Sequence, residues 1–255
     1  MTPSLILHAV PGIPLVKPGD DIAELILAAL AASELGLEGG DVLVLAQKIV
    51  SKAEGRYAYL NGVEPSAEAV ELAGQCDKDP RHMQVVLNES REIIRRRPGV
   101  VIVEHVLGYV HANAGIDRSN INSEDDNPRL LLLPENPDRS AAELRSAVLA
   151  STGVGVNIII NDSAGRAWRN GTVGFAIATA GFEALENRVG EADLYGRPLE
   201  VTEVAVADEL AAAASFMMGQ GDEALPLVLI RGAKLRPSAA GSAGLIRDRE
   251  KDMFR

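Results

Sequence analysis

The sequence predicts an α+β fold in which mixed sheets pack against helices. Apolar runs such as Val42–Ala46, residues 154–161 and residues 227–230 have the length and unbroken apolarity of strands covered on both faces. Other stretches, residues 22–30 and the alanine-rich 204–218, repeat apolar residues at helical spacing. The two kinds follow one another without the regular alternation of a doubly wound sheet, which favours α+β over α/β.

In chain order, residues 5–10 read as a first strand, followed by a proline- and glycine-bounded loop over residues 11–19. Asp20 or Asp21 is placed to cap a helix carrying Ile22, Leu25, Ile26, Ala29 and Leu30. After Gly39-Gly40-Asp41 comes the Val42–Ala46 strand, which runs directly into Gln47-Lys48-Ile49-Val50-Ser51-Lys52. Helices are expected over residues 66–73 and 81–97, the second stopped by Pro98-Gly99. Residues 100–104, 108–112 and 130–133 look like strands. Ser140-Ala141-Ala142-Glu143 is a capping box for a helix reaching about Ser151. Residues 154–161 form the strand that delivers Asp162, while 172–180 is open to strand or tightly packed helix. A turn or hairpin is expected at residues 194–199, then the helix 204–218 and a last core strand at 227–230. Residues 1–237 read as one domain with room for two subdomains. Residues 238–255 read as a small-residue linker with a charged tail helix at 245–254.

Composition narrows the function. Net charge is −11, from 25 basic against 36 acidic side chains, which disfavours nucleic-acid binding through general electrostatics. An anionic ligand has to be held locally, by a metal, lysines, arginines or backbone amides. The single cysteine, Cys76, permits no internal disulfide and fits a cytoplasmic setting. No window is long and apolar enough to predict a membrane span.

The segment Ile158-Ile159-Ile160-Asn161-Asp162-Ser163-Ala164-Gly165-Arg166-Ala167-Trp168-Arg169 carries the strongest chemical signal. A strand ending in a carboxylate and a hydroxyl suits Mg²⁺ or Mn²⁺, and the following arginines suit an anion. Gly115-Ile116-Asp117-Arg118-Ser119-Asn120 has the same character, so two distant carboxylates are candidates for one metal–phosphate site. The plainer reading of each is a polar turn. Lys48 and Lys52 could serve a phosphate, although a solvated face is the simpler account of two lysines alone. Gly219-Gln220-Gly221-Asp222-Glu223 is a loop that lets backbone approach a ligand. Neither G-x-x-x-x-G-K-[ST] nor a strand-borne G-x-G-x-x-G occurs, which disfavours the familiar nucleotide folds. The four histidines form no zinc spacing, and no G-x-S-x-G is present.

Six segments now fall in order: Gly12-Ile13-Pro14, Gln47 through Arg56, Ala114 through Asn120, Asn161 through Arg169, Tyr195-Gly196-Arg197-Pro198-Leu199, and Met218-Gly219-Gln220. In this order they resemble the coenzyme F420:L-glutamate ligases, the γ-glutamyl ligases of deazaflavin cofactor biosynthesis, in their free-standing form. The resemblance implies a family-specific α+β fold, an intertwined homodimer, and two divalent ions, Mg²⁺ or Mn²⁺, per subunit, with K⁺ as a further candidate. It also implies GTP as co-substrate, with L-glutamate and the deazaflavin precursor as partners. By the same resemblance Asp117 and Asp162 fall on a first metal site, and Ser163 and Gln220 on a second. Lys52 falls on the reacting nucleotide. Ile13, Pro14, Leu15, Val16, Gln47, Lys52, Asn120, Met218, Gly219, Gln220, Gly221, Asp222, Glu223, Ala224 and Leu225 fall on nucleotide contacts. Gln47 and Ser163 depart from the serine and threonine seen in other members. A metal-dependent phosphohydrolase and a non-catalytic nucleotide-binding subunit stay open as alternatives.

Overall fold

A computed structural model of the chain describes residues 3–123 and 126–254. In chain order the elements are β1 (Ile6–Ala9), α1 (Ile22–Ala32), β2 (Val42–Ala46), α2 (Gln47–Ala53), β3 (Tyr57–Tyr59), α3 (Ala67–Cys76), α4 (Pro80–Asn88), β4 (Ser90–Arg97), β5 (Val100–His105), β6 (Val110–Ala112), β7 (Arg129–Leu131), α5 (Pro137–Thr152), β8 (Asn157–Arg166), β9 (Arg169–Phe182), β10 (Glu186–Asn187), β11 (Glu203–Val204), α6 (Val206–Met218), β12 (Leu227–Arg231) and β13 (Pro237–Ser238). The architecture is mixed α+β. A six-stranded sheet runs β1-β12-β2-β8-β9-β13, and smaller sheets pair β3 with β7, β4 with β5 and β6, and β10 with β11. Only β2 and β8 are parallel in the large sheet.

That sheet is covered on both faces, which explains its unbroken apolar strands. Leu43, Leu45, Ile158, Ile160, Leu227 and Leu229 pack into one core with Ile26 and Leu30 of α1 and Leu144 and Val148 of α5. Their strand neighbours Val42, Val44, Ile159, Val228 and Ile230 point the other way, into a core with Ala207, Leu210, Ala211 and Ala214 of α6. This is the two-residue period of a strand, used twice. Each fully buried aliphatic side chain contributes about 1.5–3 kcal/mol relative to exposure. A third core joins α3, α4, β5 and β7 through Leu72, Met83, Val86, Val101, Val103 and Leu130.

Several sequence expectations need correction. The helix expected over 81–97 ends at Asn88, and Ser90–Arg97 is a strand. Its β-branched Ile93 and Ile94 fit the pleat, and Pro98-Gly99 is the two-residue hairpin loop between Arg97 and Val100 rather than a helix stop. Gly99 takes φ +87°, which only glycine adopts freely. The capping box at Ser140 is not used. α5 begins three residues earlier, with Pro137 in its first turn and Asn136 Oδ1 accepting from Arg139 N at 3.0 Å. Ser140 Oγ instead donates to Glu54 Oε1 at 2.6 Å. Residues 172–180 are strand, inside β9. The tail helix expected at 245–254 is absent: only short 3-10 turns occur, at Ala243–Leu245 and Arg249–Lys251. The small-residue stretch before it is docked, since Pro237–Ser238 pairs with β9 and buried Ser242 bonds Asp138. Among the described residues, no helix is long and apolar enough to cross a membrane.

Candidate functional site at one edge of the central sheet

The register of the large sheet brings four chain segments to one edge. β2 ends beside β8 with Ala46 opposite Asn161. β12 starts beside that point with Leu227 opposite Leu45, and β1 ends with Ala9 opposite Val228. Hydrogen bonds from Ala46 N to Pro226 O and from Val10 N to Leu227 O, both 2.9 Å, lock the corner. The segments leaving it are the loop with Ile13, Pro14, Leu15 and Val16, helix α2 from Gln47, the continuation of β8 from Asp162, and the loop Gly219 to Leu225. Val16 is buried, whereas Leu15 is almost wholly exposed.

Helix α2 begins without a break after β2, so Lys48 and Lys52, one turn apart, share a face. That face is not merely solvated. Lys48 Nζ lies 2.7 Å from Asp117 Oδ2 and donates to Ser119 Oγ at 3.2 Å. Lys52 Nζ donates to Asn120 O at 2.7 Å. Burial lowers the Lys52 pKa, the positive charges of Lys48 and Arg129 lower it further, and Asp117 opposes them. Burial works to raise the Asp117 pKa, but the Lys48 ammonium and the Ser119 hydrogen bonds outweigh it and hold the carboxyl below its ordinary range. The Asp117 loop is shaped by backbone in the left-handed region at Asn113 (φ 50°), Ala114 (φ 56°) and Asn120 (φ 56°). Such conformations cost of order 1–3 kcal/mol each and persist where the surroundings enforce them. Asn120 Nδ2 then donates to Gly221 O at 3.1 Å and ties this loop to the one after α6.

Asp162 sits where β8 leaves the core. Its Oδ1 accepts from Ser163 N at 2.8 Å, and its Oδ2 lies 3.2 Å from His111 Nε2. His111 is buried on β6, with Phe175 beside its ring and its Nδ1 3.1 Å from Ala112 O. Burial works against a charged imidazole, but the carboxylate of Asp162 outweighs it. The Ala112 carbonyl and the more distant Asp117 add to the effect, so the His111 pKa is raised. One histidine thus feels both candidate carboxylates. Sequence reading missed it, because the four histidines are scattered along the chain and only the pairing of β5 with β6 turns His111 inward.

Helix α6 crosses the opposite face closely enough to bring its C-terminus to this edge. Gly174, opposite Ser163 on β9, makes that approach possible. A Cβ there would stand 2.4 Å from Ser215 Cβ, 2.7 Å from Ala211 O and 2.8 Å from Asn161 Oδ1. Asn161 Nδ2 reaches Met218 Sδ at 3.7 Å, and Gln220 Nε2 donates to Ser215 Oγ at 3.2 Å. Gly219 takes φ +74°, and a Cβ on it would overlap the Glu223 carboxylate, which folds back to accept from Gly221 N at 2.8 Å. Loop N–H groups, including those of Glu223 and Gly221, hold that acid below its usual range. Buried Gln47 accepts from Ser51 Oγ at 2.8 Å, while its Nε2 and Asn161 Oδ1 have no hydrogen-bond partner among the described residues. Arg166 and Arg169 stand further out, at the tip of the β8–β9 hairpin, where Arg166 Nη1 donates to Gly171 O at 3.4 Å.

Fold and edge together define an α+β protein in which the ends of β2 and β8 carry Lys48, Lys52, Asp162 and Ser163, and the loops holding Asp117 and Gln220 approach the same end of the main sheet. Comparison with known proteins is more specific. The chain belongs to the F420-0:γ-glutamyl ligase family, whose profile matches residues 12–232. It is 47% identical to the coenzyme F420:L-glutamate ligase of Methanothermobacter thermautotrophicus over 98% of each chain. It is 44% identical to that of Archaeoglobus fulgidus, over 96% of this chain and 94% of the relative. The Methanocaldococcus jannaschii protein of the same name is 43% identical over 95% and 94%.

Proposed function

We propose that the protein is a GTP-dependent ligase that adds L-glutamate, through γ-linked amide bonds, to the deazaflavin coenzyme F420 precursor by way of an acyl phosphate. The curated relatives are named for the ligase activity. The observation that supports the mechanism is that direct contacts link Lys48, Lys52, the Asp117–Asn120 loop and the Gly219–Glu223 loop, next to the strand β8 that carries Asp162, in a chain with net charge −11. A carboxylate does not condense with an amine at neutral pH, because oxide is too poor a leaving group. In the proposed reaction a substrate carboxylate oxygen attacks the γ-phosphorus of GTP and GDP departs. The glutamate amine then attacks the acyl carbon, phosphate departs, and the ammonium proton is lost. Such chemistry asks for positioning and charge neutralisation rather than a protein nucleophile.

In this account Lys52 follows the γ-phosphoryl group as its charge shifts, the lowered pKa reflecting its partly buried, cation-rich surroundings. Gln47, Asn120, the loop Ile13 to Val16 and the segment Met218 to Leu225 hold the nucleotide. The donor set fits hard divalent ions: the carboxylates of Asp117 and Asp162, the hydroxyl of Ser163 and the amide oxygen of Gln220 are all oxygen ligands. Among the described residues no three His, Cys, Asp or Glu side chains converge, so such a site depends on the hydroxyl and amide as well. Bound Mg²⁺ or Mn²⁺ would neutralise phosphate charge there. The subunits are proposed to pair as a homodimer.

Phosphate release tests the reading. With GTP, Mn²⁺ and the deazaflavin precursor, release should depend on added L-glutamate. Release at the same rate without glutamate would make the site that of a phosphohydrolase instead.

A further inference from the structure

Each candidate metal-binding carboxylate already has a basic side chain against it. Asp117 is the more completely occupied. Its Oδ2 lies 2.7 Å from Lys48 Nζ, and its Oδ1 accepts from both the backbone N and the Oγ of Ser119 at 2.7 Å. Lys48 Nζ also reaches Ser119 Oγ at 3.2 Å, so the ammonium and the turn grip the carboxylate from two sides. Asp162 has His111 on its Oδ2. Of the two basic groups, Lys48 has the longer and more exposed side chain. It is partly exposed, on a four-carbon stem in the first turn of α2, whereas His111 is buried beside Phe175. Helix α2 also carries Lys52 one turn on, reaching the same loop at Asn120 O.

We propose that Lys48 is a working residue of the site and acts as an exchangeable counter-ion. It competes with a divalent cation for the carboxylate of Asp117, and when the cation takes that carboxylate Lys48 turns to the nucleotide phosphates beside Lys52. This rests on the functional reading above, because it takes Asp117 to be a metal ligand. The exchange keeps a cation on Asp117 in both arrangements, and it delivers a second cation to the phosphates at the step that brings the metal in. No bond is made or broken.

The exchange predicts two effects of opposite sign. In Lys48→Met the competing charge is gone, so Mn²⁺ titrated into the protein without nucleotide, followed by electron paramagnetic resonance, should bind about ten-fold tighter than in wild type. Turnover with GTP should fall by about the same factor, since a phosphate contact is lost. Lys48→Arg keeps the charge and should leave Mn²⁺ affinity within about two-fold of wild type. A purely structural ion pair gives a different pattern: Lys48→Met would weaken metal binding and turnover together. That result, or unchanged Mn²⁺ affinity, overturns the proposal. Should Lys48→Met not fold, Lys48→Gln is read in the same titration by the same criterion. The two levels separate cleanly, because wild type that binds no Mn²⁺ sinks the metal assignment itself, whereas wild-type binding with no gain in the variant sinks only the exchange.

Discussion

In the proposed mechanism Asp162 is the residue on which most of the chemistry depends, and its local bonding allows a clean test. Asp162 Oδ1 accepts from Ser163 N, a bond that an asparagine oxygen also makes. Asp162→Asn should therefore keep its circular dichroism spectrum while losing activity on the order of 10²–10³-fold, as expected when a charge-stabilising group is removed from a reacting centre. A folded variant with wild-type turnover would remove the residue from the mechanism. At this scale the sequence was informative about carboxylates and silent about their partners. A strand running into Asp-Ser and a Gly-Ile-Asp-Arg-Ser-Asn loop carry recognisable composition. By contrast, Lys48 meets Asp117 across a separation of 69 positions, and His111 meets Asp162 across 51. Neither meeting leaves a local mark.

At the scale of elements, the seat of α6 on β9 is the tightest fit near the site. Gly174→Ala would press a methyl against the Ala211 carbonyl and Ser215, and backbone cannot yield as a long side chain can. The cost should be about 1–3 kcal/mol, seen as a lower melting temperature, with Gln220 and Met218 displaced from the edge. An unchanged melting temperature would mean that α6 shifts freely and does not position its C-terminal loop. Helix α4 carries a separate liability. His82 is buried, its Nε2 has no hydrogen-bond partner among the described residues, and its pKa is depressed to about 4, mainly by burial, with Lys78 and Arg118 adding to the effect. A depressed folded pKa means that the unfolded chain binds the proton first. Stability is therefore complete above pH 6.5 and is lost as pH falls toward 4, by up to about 3 kcal/mol at the bottom of that window. Chemical denaturation of His82→Gln across this window should show a flatter profile than wild type, and parallel profiles would acquit His82. The strands of the central sheet were legible because burial on both faces leaves an unbroken apolar run. β4 was not, because Ile93-Ile94 among arginines fits a helix face as well as a pleat, and its strand character comes from pairing with β5.

For the whole molecule, the exposed apolar side chains bear on assembly. Phe216 on α6 is 87% exposed, and Leu194, Tyr195 and Val201 between β10 and β11 are 99%, 83% and 86% exposed. Large exposed side chains of this kind favour burial against another surface. In the proposed homodimer they are the candidates for the interface, so light scattering at micromolar concentration should give twice the 27.0 kDa chain mass. Phe216→Glu should shift that mass toward the monomer. A wild-type mass of one chain would contradict the dimer. The overall class was readable from the order of runs and periodicities. The gathering of four segments at one edge was not, because it follows from the one parallel pairing, β2 with β8, that sets Ala46 beside Asn161.

The most direct test of the central claim is mass spectrometry of the deazaflavin precursor after incubation with the protein, GTP, Mn²⁺ and L-glutamate. The account predicts a product heavier by one or more glutamyl residues, formed together with GDP and phosphate, and no such product when GTP is withheld. GTP consumed with the deazaflavin mass unchanged, or glutamylation that proceeds without a nucleotide, would contradict it.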